Sequence, residues 1–191
     1  MANTQEKCEV LNVAYCKVFT DDDGNFPIMN QVSTVLPSLT ITTHAIELAI
    51  KRVKNSSAVG PDNIPIGLIK SIVDILSPIL QILYTRTLNE NMVPAVWKLS
   101  KVTPIFKKGS KSEPKNYRPV SITVHLCKIF ERLLNDHIVC YLESNFLMEI
   151  CQHGFRKKLS TETNLLTFYD EVTELIENRL PVDVIYYDQC F

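Results

Sequence analysis

The 191-residue sequence lacks the usual marks of a secreted or membrane protein. None of its six cysteines forms a CxxC pair, and a chain of this length does not need disulfides to hold a small core together. No apolar run approaches the roughly 20 residues of a transmembrane helix. Residues 1–7 lack the basic segment and apolar core of a signal peptide. We therefore expect free thiols and an intracellular protein, in the cytoplasm, the nucleus or both, without membrane association.

The sequence also lacks a large net charge, which is −1 at pH 7, so composition alone does not indicate nucleic-acid binding. The distribution of charge is more informative. Residues 98–118 contain seven basic residues against the single acid Glu113, and a second basic group follows at 156–158. Clustered positive charge on a nearly neutral protein indicates a local anion-binding surface, although a solvated loop is an equally simple interpretation.

Hydrophobic spacing predicts an α/β protein, because helical periodicity dominates and two segments have strand character. With 46% hydrophobic and 21% charged residues, the chain has the composition of a globular domain. The first predicted helix is 5–19, and the second is a short helix capped by Thr42 or Thr43 with an apolar stripe at Ile46, Ala49, Ile50 and Val53. Two helices follow at about 64–75 and 78–90, with Pro65 and Pro78 in their first turns. The last two are at about 124–144 and about 161–178, the latter capped by Ser160 or Thr161.

The predicted strands are a β-hairpin over 94–123, which carries the basic cluster and is extended over 96–107 and near 119–123, and a buried strand over 182–188. Trp97 and Tyr117 could stack on bases, but we expect Trp97 to pack in the core.

Four segments follow one another in a fixed order. The first is KNSSAVGPDNIP at 54–65, and the second joins Trp97-Lys98, VTPIFKKG at 102–109 and NYRPVS at 116–121. The third is QHGFR at 152–156 followed by Ser160-Thr161, and the fourth is the apolar run that ends at Asp188. Together they resemble the reverse transcriptases of non-LTR (LINE-type) retrotransposons, and most closely the jockey and CR1-like elements.

This resemblance implies a truncated right-hand polymerase fold. Residues 1–40 would form a linker helix and connector, and residues 41–191 a partial reverse transcriptase domain. That domain would comprise a helix-rich fingers subdomain with the β-hairpin and the first strand of the palm. The implied activity is RNA-directed DNA synthesis, with an RNA template, a DNA primer and dNTPs as partners.

The resemblance also assigns candidate binding residues. In the family, basic residues of the hairpin face the phosphates of the incoming nucleotide, and the matching residues here are Lys107, Lys108 and Arg118. Lysine and arginine supply the positive charge and bidentate geometry that a triphosphate needs. Gly154 would let the backbone approach nucleic acid, and Arg156 would contact a phosphate or a base. The simpler alternative for that pair is an ordinary turn with one surface arginine.

The catalytic expectation depends on Asp188, which the resemblance makes a catalytic carboxylate and a ligand of Mg²⁺. The family continues after this aspartate with FSKAFD and, later, a pair of aspartates, whereas this sequence reads Gln189-Cys190-Phe191. We therefore expect a fragment that does not polymerise alone. Two further hypotheses are a residual nucleic-acid-binding module and a non-functional remnant of a transposon.

Overall fold

The computed structural model describes residues 3–19, 24, 34–55 and 57–185. Within them the chain forms six α-helices and one two-stranded antiparallel sheet. The helices are α1 (Thr4–Cys16), α2 (Thr43–Arg52), α3 (Ile66–Ser71), α4 (Val73–Glu90), α5 (His125–Ser144) and α6 (Thr161–Glu177). The strands are β1 (Lys101–Phe106) and β2 (Tyr117–Ile122), and short 3-10 helices occupy Ala95–Lys98 and Pro114–Asn116. The chain divides into two compact units, Met1–Ile138 and Val139–Phe191.

The second helix shows how local sequence determines the elements of the first unit. The side chain of Thr42 caps α2 by accepting a hydrogen bond of 3.2 Å from the amide of Ala45. The predicted apolar stripe is buried at Ile46 and Ile50. Both the cap and the stripe were expected from the sequence, and both are confirmed.

The core of the first unit is centred on three aromatic rings. Tyr84 of α4, Trp97 and Phe130 of α5 lie with ring centroids 5.0–5.7 Å apart. The Tyr84 hydroxyl donates a hydrogen bond of 2.8 Å to the carbonyl oxygen of Leu126. Trp97 is only 5% exposed, so it packs in the core and is not available to stack on a base. The remaining buried apolar residues are Ile41, Ile46, Ala49, Ile50, Ile66, Ile69, Leu80, Val124, Cys127, Ile129 and Leu133.

A tight turn at 60–63 packs directly against the start of α5. The amide of Asn63 donates to the carbonyl oxygen of Gly60 at 3.1 Å, and Asn63 has a φ of 55°. A Cβ atom added at Gly60 would lie 2.8 Å from the carbonyl oxygen of Thr123 and from the Cα of Val124. Only glycine permits this approach of two backbones, and it fixes the turn against the segment that leaves β2.

One lysine of α3 closes the end of α2. The Lys70 ammonium donates to the carbonyl oxygens of Val53 at 2.7 Å and Lys51 at 3.3 Å, and to Oδ1 of Asn55 at 2.8 Å. Carbonyl groups at the end of a helix have no partner within the helix, so a cation there satisfies them and complements the helix dipole. The lysine thereby fixes the start of the loop that leads to Gly60.

The structure corrects three details of the sequence predictions. Pro78 lies inside α4 and not in a first turn. Residues 96–98 belong to a 3-10 helix and not to an extended strand. Residues 182–185, expected to begin a buried strand, form no strand, and Val184 and Ile185 are exposed. A strand needs a neighbour to satisfy its backbone groups, and the sheet in the described residues contains β1 and β2 alone.

The described part of the second unit comprises the last residues of α5, a loop and α6. Ser160 caps α6 through a reciprocal capping box with Thr163. His153, which is buried, makes a hydrogen bond of 2.9 Å with the Thr163 hydroxyl and so ties the loop to the start of the helix. The predicted bounds of this helix and its cap are therefore confirmed.

The described cysteines are free thiols, as expected: Cys127 is buried, and Cys8, Cys16, Cys140 and Cys151 are exposed. Burial and a hydrogen bond to Glu131 raise the pKa of the Cys127 thiol to about 12, so it remains protonated. Among the described residues, no helix is both long enough and apolar enough to cross a membrane.

Candidate nucleic-acid interface

The β-hairpin places the predicted nucleotide-binding residues at one end of a regular ladder. β1 pairs antiparallel with β2 in a register that runs from Lys101 opposite Ile122 to Phe106 opposite Tyr117. Residues directly opposite each other share a face of the sheet, so Arg118 shares a face with Ile105. The predicted hairpin is therefore confirmed, with β2 beginning two residues earlier than expected.

The loop between the strands is held in one conformation by Asn116. Its carbonyl oxygen accepts a hydrogen bond of 2.8 Å from the Lys107 amide, and its side-chain amide donates to the carbonyl oxygen of Ser110 at 2.9 Å. Gly109 has a φ of 89°, and a Cβ there would lie 2.6 Å from Nδ2 of Asn116. The loop therefore needs a glycine at 109 on both steric and conformational grounds.

An aromatic pair closes the same loop from its other side. The rings of Phe106 and Tyr117 meet edge to face with centroids 5.5 Å apart. The Tyr117 hydroxyl donates to the carbonyl oxygen of Lys111 at 2.9 Å, and the Lys111 ammonium lies 5.8 Å from the centroid of the Phe106 ring. A cation over a ring face is attracted by the quadrupole of the ring. Tyr117 therefore holds the loop together, and its ring is half-buried.

The three predicted phosphate-binding residues of the hairpin are all exposed. Lys107 and Lys108 follow β1, Arg118 is the second residue of β2, and no ion pair found among the described residues involves them. Lys101, Lys111 and Lys115 of the same hairpin are exposed as well. A dense group of cations with one acid among them, Glu113, creates a positive potential that attracts polyanions. The structure thus presents these side chains together, whereas their role in binding stays a prediction.

The second predicted site, at Gly154 and Arg156, lies in the loop before α6. The Arg156 guanidinium donates from Nη1 to the carbonyl oxygens of Glu149 at 3.2 Å and Gln152 at 3.3 Å. Part of its hydrogen-bonding capacity therefore stabilises its own loop. Gly154 is exposed, and a Cβ there would meet Nε2 of Gln152 at 3.4 Å, an ordinary contact. This geometry does not require glycine at position 154.

Sequence reasoning missed the residue between them. Phe155 is fully exposed and has a φ of 63°, which is an unusual conformation for a bulky side chain. Strained backbone of this kind is concentrated at functional sites. Exposed aromatic rings beside basic residues, here Lys157 and Lys158, are typical of surfaces that stack on single-stranded bases. The motif placed a phenylalanine here, but only the fold shows that its ring faces solvent.

The predicted catalytic and metal-binding residue, Asp188, lies outside the described residues. Asp183, which precedes it, is exposed. In the part of the chain that the structure describes, no three histidine, cysteine, aspartate or glutamate side chains come together as a metal site. The described residues alone therefore do not form the metal centre that the resemblance implies.

Three proteins of Drosophila melanogaster are similar in sequence to this chain. The "probable RNA-directed DNA polymerase from transposon BS" is 25% identical over 154 residues, which are 80% of this chain and 17% of the relative. The corresponding protein from transposon X-element is 27% identical over 131 residues, 68% of this chain and 14% of the relative. The RNA-directed DNA polymerase from mobile element jockey is 25% identical over 145 residues, 75% of this chain and 16% of the relative.

The similarity covers most of this chain but a small part of each relative. The chain spans 14–17% of the length of these three proteins. No family model matches the sequence. The relationship to polymerases of mobile elements agrees with the resemblance drawn from the four motifs, and that resemblance is thereby confirmed.

Proposed function

We propose that this chain, as a relative of the reverse transcriptases of non-LTR retrotransposons, is a fragment of an RNA-directed DNA polymerase that binds nucleotide and template phosphates. Residues 41–191 would be a partial reverse transcriptase domain with the fingers and the start of the palm. Residues 1–40 would be the linker helix and connector that precede it. The partners would be an RNA template, a DNA primer and dNTPs.

The observation that carries this proposal is the ordered basic hairpin. Lys107, Lys108 and Arg118 are exposed and lack ion-pair partners among the described residues, and the loop between them is held by Asn116 and Tyr117. An ordered loop loses less conformational entropy when it binds, so more of the electrostatic attraction is available for affinity. Arginine adds a planar fork that can bind two phosphate oxygens at once.

The loop at 152–158 would supply a second contact with the template. Phe155 offers a ring on which a base can stack, while Gly154 allows a nucleic-acid strand to approach the protein backbone. Arg156 has further donor groups beyond those that hold its own loop. A stacking ring beside cations binds single strands with little dependence on sequence.

Magnesium enters this proposal only through the resemblance. Asp188 would be one of its ligands. The described residues contain no group of three side chains that could bind the ion by itself. A divalent ion in such polymerases stabilises charge on the transferred phosphate. No step that depends on the metal is assigned to the described side chains.

A binding titration tests the hairpin. Fluorescence anisotropy of labelled single-stranded RNA would compare the wild type with Lys107→Ala/Lys108→Ala/Arg118→Ala over a range of salt concentrations. Each lost phosphate contact should reduce the slope of log K against log salt by roughly 0.7 for a single strand. A matched control is Lys51→Ala/Arg52→Ala/Arg86→Ala, which removes the same charge from cations that already lie within 4.0 Å of carboxylates. Equal affinity for the hairpin variant and the wild type would refute the proposed site.

A second candidate function is nucleic-acid binding without synthesis. It rests on the basic hairpin alone, which lies wholly within the described residues and presents its cations to solvent. Primer extension with magnesium and dNTPs separates the two candidates. Extension that is lost in Asp188→Ala supports the polymerase, and RNA binding without any extension supports the binding module.

A further inference from the structure

The first helix of the chain packs against the basic hairpin. α1 contacts the 3-10 helix Pro114–Asn116, which lies in the hairpin loop. Three residues of α1 are shielded from solvent by this packing and by the helix itself: Leu11, Ala14 and Tyr15 are half-buried, whereas the remaining residues of α1 are exposed. The helix therefore has one inward face, and that face lies beside the loop.

A cleft of about 610 Å³ lies between α1 and the loop. Its apolar lining comes from Val10, Val13, Ala14 and Pro114, and its charged lining from Glu9 and Lys17 on α1 and from Glu113 and Lys115 on the loop. Each side of the cleft thus contributes one acid and one base.

Tyr15 connects this packing to the residue that holds the loop. Its hydroxyl is buried and makes no hydrogen bond to any of the described residues. Burial, and to a lesser degree the nearby hydroxyl of Tyr117, raises the pKa of Tyr15. Tyr117 in turn donates the hydrogen bond to the carbonyl oxygen of Lys111. Tyr15 thus lies on the half-buried face of α1, and α1 packs on the 3-10 helix that immediately precedes Tyr117.

The predicted phosphate-binding side chains remain free of this contact. Lys107, Lys108 and Arg118 are exposed and do not line the cleft. A helix that masked the site would cover these residues, whereas a helix that supports the loop from behind would leave them open. The exposure of these three side chains therefore fits a helix that supports the loop from behind.

We propose that α1 braces the basic hairpin and that Tyr15 is the positioning residue of this brace, which keeps the loop in its binding conformation. This inference rests on the proposed function, because it concerns the same phosphate-binding loop. Tyr15 would act through Tyr117 and would not touch the nucleic acid itself.

The test compares variants of the full chain for binding of single-stranded RNA. Tyr15→Ala should weaken binding by about fivefold or more, the lower range of coupling between distinct sites. The slope of log K against log salt should stay at the wild-type value, because no cation is removed. Tyr15→Phe should restore affinity, because it keeps the ring and removes a hydroxyl with no partner among the described residues. Asn12→Ala, on the exposed side of α1, is the control and should bind like the wild type.

Thermal unfolding separates positioning from stability. The midpoint of Tyr15→Ala should stay close to that of the wild type, because Tyr15 lies outside the core. If Tyr15→Ala does not fold, Ala14→Asp tests the same contact, because it places a charge in the cleft between α1 and Pro114. Either variant binding as tightly as the wild type, or more tightly, overturns the brace. If Lys107→Ala/Lys108→Ala/Arg118→Ala weakens binding while both α1 variants do not, the inference fails and the proposed function stands.

Discussion

The hydroxyl of Tyr117 donates a hydrogen bond of 2.9 Å to the carbonyl oxygen of Lys111, while the ammonium of the same lysine lies over the ring of Phe106. The backbone and the side chain of one loop residue are thus both held by the aromatic pair at the end of the ladder. The loop is therefore ordered before any ligand arrives, and its lysines are presented from a fixed backbone.

Removal of the Tyr117 hydroxyl should loosen the loop without unfolding the protein. In Tyr117→Phe the ring contact with Phe106 remains, and the exposed carbonyl of Lys111 finds water. The expected loss of stability is about 0.5 kcal/mol, the lower end for one hydrogen bond. Hydrogen exchange of the amides at 107–116 should accelerate. Tyr169→Phe, which alters an exposed tyrosine of α6, is the control; equal exchange in both variants would contradict the prediction.

The ring of Phe155 should contribute to RNA affinity. Phe155→Ala is expected to weaken binding of single-stranded RNA by about tenfold, equivalent to a stacking contribution within roughly 1–3 kcal/mol. Phe155→Tyr should bind like the wild type, because it keeps the ring. Phe146→Ala is a matched control, since Phe146 is also exposed and also has a positive φ, of 54°. Equal losses in the two alanine variants would show that the effect is not specific to the loop at 152–158.

Gly60 should tolerate no side chain. Gly60→Ala brings a Cβ to 2.8 Å from backbone atoms that cannot move freely, so a loss of roughly 1–3 kcal/mol is expected from overpacking. Gly67→Ala is the opposite case, because no atom lies within 4 Å of the added Cβ and α3 is helical there. It should stabilise the protein by about 0.5–1 kcal/mol. Urea unfolding measures both, and a loss for Gly67→Ala as large as that for Gly60→Ala would count against the steric argument.

Stability should fall as the pH drops below neutrality, in part because of His125. Burial, and secondarily Lys128, lowers the pKa of His125 from its ordinary value of 6.5, while Asp62 opposes the shift. Both ring nitrogens lack a partner among the described residues. Because the folded-state pKa lies below the unfolded value, the unfolded chain binds more protons as the pH falls through 6.5, and unfolding is favoured.

The variant His125→Leu isolates this contribution. Its free energy of unfolding should depend less steeply on pH between 7.5 and 5.5 than that of the wild type, within about one pH unit of the ordinary histidine pKa. His44→Gln, at an exposed position of α2, is the control and should keep the wild-type slope. Identical slopes in all three proteins would show that His125 does not contribute to the pH dependence of the free energy of unfolding.

Much of the fold follows from local sequence, and for a clear reason. The caps at Thr42 and Ser160 and the apolar stripe of α2 depend on residues a few positions apart, so spacing reveals them. The basic hairpin is marked by extended segments around a loop rich in turn-forming residues. Predictions of this kind, including the burial of Trp97, are confirmed.

The remaining features depend on distant parts of the chain. The approach of Gly60 to Val124 joins segments that are far apart in sequence, and the brace between α1 and the loop does so across an even longer separation. Spacing patterns contain no information about such contacts. The strand predicted over 182–188 is wrong at 182–185 for a related reason, because a run of β-branched and aromatic residues alone does not provide a neighbouring strand. The hydrogen bonds that Arg156 donates to carbonyl groups of its own loop likewise depend on the folded backbone, so the sequence does not predict them.

The three hydrogen bonds of Lys70 have a consequence for chemical footprinting. The Lys70 nitrogen is half-buried and surrounded by three acceptors, so an acylating reagent should reach it less readily while the chain is folded. The lysines of the hairpin are exposed and should therefore acylate faster than Lys70. In a mass-spectrometric experiment Lys70 thus serves as an internal standard for folding, against which the shielding of Lys107 and Lys108 by bound RNA can be read in the same digest.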